Sequence, residues 1–219
     1  MRYNEILEAK QEFDLETLHK ILNECSEAVS LIKKTNKFMI RGTHGRNTNT
    51  GIFKDVIRPD RLSRDTNAII SSFIDEWLVE HNFTAIRSNS LFVSSNWIQA
   101  NQYGTLYIIF PKNGFKYTWF EKSADLYDTV SNPLFFERAR ILYDIEIKNP
   151  QKTNQEIIKL ANEHIKNKLN DDMIKISPTT SNIEKALKKK NEIMITGVDY
   201  YGVNYRMYKK AIKEFLGII

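Results

Sequence analysis

Leu15, Leu18, Ile21, Leu22, Val29 and Ile32 recur near helical spacing and predict a helix over residues 14–35, with Asp14 able to cap its first turn. A second stripe, Ile69, Ile70, Phe73, Ile74, Trp77 and Leu78, predicts a helix over 65–80 capped by Asp65. Ile157, Ile158, Leu160, Ala161 and Ile165 mark one face of a helix over 153–168. Residues 121–130, 134–147, 183–189 and the amphipathic 205–216 read as further helices, and Asp171-Asp172 after Asn170 reads as a turn. Short apolar, β-branched runs predict strands at 37–42, 85–95, 105–111, 116–120 and from Glu192 onward, with a short helix at 97–103. Asn113-Gly114 supplies a turn signal between two of these strands. Residues 43–64 are polar, basic and aperiodic, and read as a long functional loop. Residues 177–182 are a Pro- and Thr-rich break.

Strands and helices alternate unevenly, which favours the α+β class over a doubly wound parallel sheet. There is no internal repeat and no low-complexity linker, so the reading is one domain over residues 1–219. Three strands break the alternation expected of a half-buried strand: FMIRGT around Arg41, SLFVSSN around Ser94 and NEIMITG around Glu192. Each sets a polar or charged side chain in or beside an apolar run, and three such departures suggest a shared site.

Composition narrows the picture. A chain of 219 residues can bury a core without covalent staples. Its one cysteine, Cys25, excludes a disulfide framework and a cysteine-based metal site. The four histidines, His19, His44, His81 and His164, lack metal-ligand spacing, so no metal is expected. No apolar run reaches the length of a membrane span, and the N-terminal residues lack the apolar core of a signal peptide. A cytoplasmic setting is therefore expected, with no membrane partner. The net charge of +5 and pI of about 9.1 mildly favour acidic partners, a nucleic acid or a nucleotide diphosphate. No Gly-rich phosphate loop and no Ser-His-Asp signature is present.

In order, the three segments resemble the arginine-serine-glutamate class of ADP-ribosyltransferases. Phe38-Met39-Ile40-Arg41-Gly42 is similar to the family's strand ending in Arg-Gly. Phe92-Val93-Ser94-Ser95-Asn96 is similar to its Ser-Thr-Ser strand, with Asn in the last place. Asn191-Glu192-Ile193-Met194-Ile195, followed by Val198 to Val203, looks like its late strand opened by Glu. The spacing from Leu91 through Ala100 to Tyr103-Gly104 also resembles the strand and short helix of poly(ADP-ribose) polymerases, whose tyrosine stacks on nicotinamide.

The resemblance implies a split, mixed β-sheet core with flanking helices, and a mono-ADP-ribosyltransferase that takes NAD as substrate. Arg41 and Gly42 would bind NAD, with Ser95 assisting, and Tyr103 would stack on the nicotinamide. Glu192 would be catalytic, supported by Ser94. Cleaving the nicotinamide–ribose bond passes through an oxocarbenium-like transition state, which needs a diphosphate grip, a fixed nicotinamide and a negative charge near the ribose. A guanidinium suits the first need and a carboxylate the last. Each residue has a plain structural alternative: a strand-end ion pair for Arg41, a solvated carboxylate for Glu192, backbone capping for Ser94 and core packing for Tyr103.

Arginine-modifying members carry an acid two positions before the Glu. Here Lys190 stands there, the acceptor-facing position, in the run Lys188-Lys189-Lys190. A cation there repels an arginine acceptor. The acceptor would then be another protein side chain, a nucleic acid drawn by the lysines, or water. Arg46, Arg58, Arg61 and Arg64 could extend a phosphate-facing surface, or be a solvated basic loop. Small transferases of this look often serve as bacteriophage host-takeover proteins, acting in the host cytoplasm, or as toxins. The rival readings are a non-catalytic protein of this fold that binds nucleic acid or a protein partner, and a virion structural component.

Overall fold

Strand pairing divides the chain between two four-stranded sheets, in a computed structural model that describes residues 16–44, 51–61 and 67–218. In the first sheet β1 (Ile40–Thr43), β4 (Thr105–Pro111), β8 (Asp199–Asn204) and β2 (Ile52–Val56) lie in that order. In the second the order is β3 (Leu91–Val93), β7 (Ile193–Thr196), β5 (Lys116–Phe120) and β6 (Pro178–Thr179). The fold is thus α+β. The sheets are split, but each pairing among the described residues is antiparallel, where a mixed sheet was expected. Each connection between neighbours returns the chain in the opposite sense, so no parallel pair forms.

The sheets meet edge to edge at one residue pair. Ile40 N–H donates to the Ser94 carbonyl at 2.8 Å, and Ser94 N–H returns to Ile40 O at 3.0 Å. This seam joins the Arg41 strand to the Ser94 strand. The Glu192 strand, β7, lies directly against β3, with Phe92 opposite Met194 and Val93 opposite Ile193. Parts of the loop expected over 43–64 belong to other structure: Thr43 completes β1, and residues 52–56 form β2, an edge strand paired along β8. Five residues with one half-exposed face carry little periodicity, so β2 was not legible as a strand.

Helices pack on both sheets. Residues 16–24 form α1, which turns at Cys25 into α2 (Ser26–Thr35). The proposed caps Asp14 and Asp65 lie outside the described residues, as do Arg46 and Arg64. α3 (Ala68–Glu80) is capped by Asn67, whose side-chain oxygen accepts from the N–H groups of Ile69 and Ile70. After β3 come α4 (Trp97–Asn101), a π-helical turn at Tyr127–Ser131, α5 (Asn132–Lys148) and α6 (Asn154–Ile176). α6 continues well past residue 168, because Ile157, Ala161, Ile165, Leu169, Met173 and Ile176 extend one buried stripe at helical spacing. Asp171 and Asp172 lie within that helix, off its buried face, and do not form a turn. α7 (Ile183–Lys189) and α8 (Tyr205–Leu216) match the expected helices at 183–189 and 205–216.

Two cores flank the second sheet. One gathers α1, α2, α7 and α8 against β4 and β8. The other gathers α3, α5 and α6. β7 serves both: Ile193 and Ile195 point into the first and Met194 into the second, while neighbouring Trp119 and Phe120 of β5 divide the same way. A strand buried on both faces reads as a continuous apolar run, which is why Ile193-Met194-Ile195 lacks alternation.

Candidate functional site

A cleft of about 390 Å³ opens at the seam between the sheets. Arg41, Gly42, Ser94, Tyr103 and Glu192, drawn from across some 150 positions of sequence, all line it.

β1 delivers the first two. Arg41 Nη1 donates to the Phe92 carbonyl at 3.0 Å, which lays the guanidinium across the seam onto β3. Gly42 is required by packing. A Cβ there would sit 1.9 Å from Ala100 O and 3.0 Å from Tyr103 Cβ, so only glycine lets α4 lie directly on β1. That contact brings Tyr103 to the cleft wall. Tyr103 is 45 % exposed, so it is not a core residue, and it lines the cleft.

Glu192 sits at the mouth of β7, and the segment 124–126 wraps it. Its N–H donates to Ala124 O at 2.9 Å, and Leu126 N–H donates back to its carboxylate. Burial, reinforced by the neighbouring Asp125 carboxylate, pushes its proton affinity up to about 7 from an ordinary 4.5. The Arg87 and Arg61 guanidiniums pull the other way and only partly offset the rise.

Ser94 lines the cleft, yet its hydroxyl serves backbone. It donates to Lys190 O at 2.9 Å and accepts from Asn96 N–H at 3.1 Å. The expected bond to the Glu192 carboxylate is thus replaced by backbone contacts, one of them to the turn two residues before Glu192. Two expected site residues are not in the cleft. Ser95, expected to help bind cofactor, is buried and donates to Leu187 O of α7, because successive strand residues face opposite ways. Lys190, expected to face the acceptor, is exposed at the left-handed end of α7 with φ of 64° and contributes its carbonyl to Ser94. The run Lys188, Lys189 and Lys190 remains on the surface beside this turn.

The structure adds residues that the sequence did not single out. The stretch 85–95, expected to be one strand, is strand only over Leu91–Val93. Its first half is a turn whose backbone is captured by Asp75: Arg87 N–H and Ser88 N–H donate to the two carboxylate oxygens at 2.6 and 3.0 Å. This turn aims the buried Arg87 into the cleft. Desolvation weakens its hold on its proton, countered by Glu192, Asp75 and Asp125. Arg61 is anchored on the same turn, its N–H donating to Ser88 O at 2.7 Å, and the two guanidiniums lie 4.4 Å (Arg61) and 5.4 Å (Arg87) from the centre of the Phe92 ring. Arg61 was visible in the sequence only as one of several loop arginines. Arg87, Gln99, Asp125 and Tyr127 carried no local signal at all.

Arg41, Arg61 and Arg87 thus line one cavity with Asp125 and Glu192, an arrangement suited to an anionic ligand. Among the described residues no group of three or more His, Cys, Asp or Glu side chains is arranged to hold a metal ion, and no helix is long and apolar enough to cross a membrane. No protein-family model, curated protein or solved structure matches this chain.

Proposed function

We propose that this protein is a mono-ADP-ribosyltransferase: it cleaves NAD at the nicotinamide–ribose bond and passes ADP-ribose to a protein or nucleic-acid acceptor. The observation that carries the reading is the meeting of Arg41, Gly42, Tyr103 and Glu192 in one cleft, from segments far apart in sequence.

The chemistry follows from the parts. Arg41, with Arg61 and Arg87 nearby, offers guanidinium forks to the diphosphate. Tyr103, on the cleft wall beside Gly42, would stack on the nicotinamide ring. Glu192 stands where positive charge would develop on the ribose. A carboxylate fixed there before reaction stabilises the oxocarbenium-like state without reorganising, and removing such a group typically costs roughly 3–4 kcal/mol of barrier. Ser94 is a positioning residue, acting through the Lys190 carbonyl. The exposed lysines at 188–190 leave an anionic acceptor surface, such as nucleic acid, welcome near the site.

The test is release of nicotinamide from NAD by the purified protein, beside Glu192→Gln, with and without cell lysate as acceptor. Turnover is expected for the wild type and a loss of about 100-fold or more for the variant. A wild type that neither binds NAD by calorimetry nor releases nicotinamide sinks the reading.

A further inference from the structure

Two carboxylates line the cleft among the described residues, and the reading above uses only Glu192. The other, Asp125, is held through both of its carboxylate oxygens. Tyr127 N–H donates to its Oδ1 at 2.7 Å, and the Gln99 amide of α4 donates to its Oδ2. Its backbone neighbours are the same two residues that grip Glu192, Ala124 through its carbonyl and Leu126 through its N–H. The fold thus locks one carboxylate against another in a partly buried cavity, at an electrostatic cost that Glu192 registers. Capping the Tyr127 turn requires no such juxtaposition, since an amide side chain accepts the same N–H. The π-helical turn begins at Tyr127, two residues after Asp125, and such turns occur frequently at functional sites.

We propose, on the footing of the NAD-cleavage reading, that Asp125 takes the proton from the incoming nucleophile as that nucleophile bonds to the ribose C1′, and that Gln99 is the residue that positions it. The step balances simply. The C1′–N bond to nicotinamide breaks and its electron pair leaves with the ring, which departs neutral. An O–H or N–H nucleophile gives its lone pair to C1′, its proton passes to Asp125, and from there to water. The acceptor class is therefore a proton-bearing nucleophile, a hydroxyl or an amide nitrogen, and water in its absence. Carboxylates each retain free lone pairs beyond the two contacts named, so Asp125 can accept that proton without losing its anchors.

The experiment uses azide, an anionic nucleophile with no proton to lose. Asp125→Asn keeps an oxygen for Tyr127 N–H. Its nicotinamide release with water or lysate acceptors is expected to fall about 100-fold, in the usual range for a lost general base. Excess sodium azide should restore release and yield ADP-ribosyl azide. Glu192→Gln should be as impaired and gain nothing from azide. If the Asp125→Asn protein melts early, Gln99→Leu carries the same test, with a smaller loss that azide again restores. An Asp125→Asn protein with wild-type turnover overturns the proposal. So does a folded variant that binds NAD, fails to turn over and ignores azide, since that marks a structural role. A wild type that releases no nicotinamide removes the NAD reading and this proposal with it, an outcome separate from the other two.

Discussion

Glu192 keeps its proton to about pH 7 in the fold, against about 4.5 when exposed, and that difference is a statement about stability. The folded chain binds more protons than the unfolded one between those values. The associated stabilisation is fully present below the unfolded value and is lost as pH rises through about 7. Glu192→Gln, neutral throughout, escapes that loss. Thermal melts should therefore show the variant gaining on the wild type between about pH 4 and about pH 8. An equal difference at both pH values would mean that the carboxyl titrates as if solvated. On the NAD-cleavage reading proposed above, nicotinamide release should run the other way, rising through the same window as the carboxylate forms, so that one residue would set stability against activity at neutral pH. Other buried groups are quieter: Cys25 donates to Phe110 O and burial pushes its thiol up to about 12, which suits packing and not reactivity.

Among the elements, the contact of β1 with α4 decides the shape of the cleft. Gly42→Ala places a methyl 1.9 Å from Ala100 O, a distance the backbone cannot absorb without moving α4. The shift displaces Gln99 and Tyr103 together, since both ride on or just after that helix. The expected outcome is a loss of at least ~1–3 kcal/mol of stability, read by denaturant titration, and, on the NAD-cleavage reading, weakened NAD binding in whatever fraction folds. Unchanged binding would show that α4 does not shape the ligand wall. At this scale much was legible. α7, α8, β4 and β5 follow from apolar spacing and turn signals alone, because each packs one consistent face or is wholly buried. The misses have local causes. β2 is a short half-exposed edge, residues 85–90 take their shape from the Asp75 carboxylate of another helix, and α6 outruns its polar residues because only one face needs to be apolar.

Across the whole molecule, β5 and β7 tie the two cores into one unit, since adjacent residues of each strand enter opposite cores. Ile165, fully buried in the second core, lies on the helix α6 and does not line the cleft. Ile165→Ala should cost ~2–5 kcal/mol, and melting followed by far-UV and by near-UV circular dichroism should shift together. Two separated transitions would show that the cores unfold independently.

The sequence by itself determined the α+β class, most of the helices, and the three strands whose polar interruptions marked Arg41, Ser94 and Glu192. Those follow from periodicities of 3.6 and 2, which are local consequences of backbone geometry. Only the tertiary structure decided that these strands converge at the Ile40–Ser94 seam, that Ser95 and Lys190 turn away from it, and that Arg61, Arg87, Gln99 and Asp125 join it. Such placements depend on contacts between residues tens of positions apart. A single buried charge on a turn leaves no periodic trace, so its role becomes visible only when the chain has brought its partner to it.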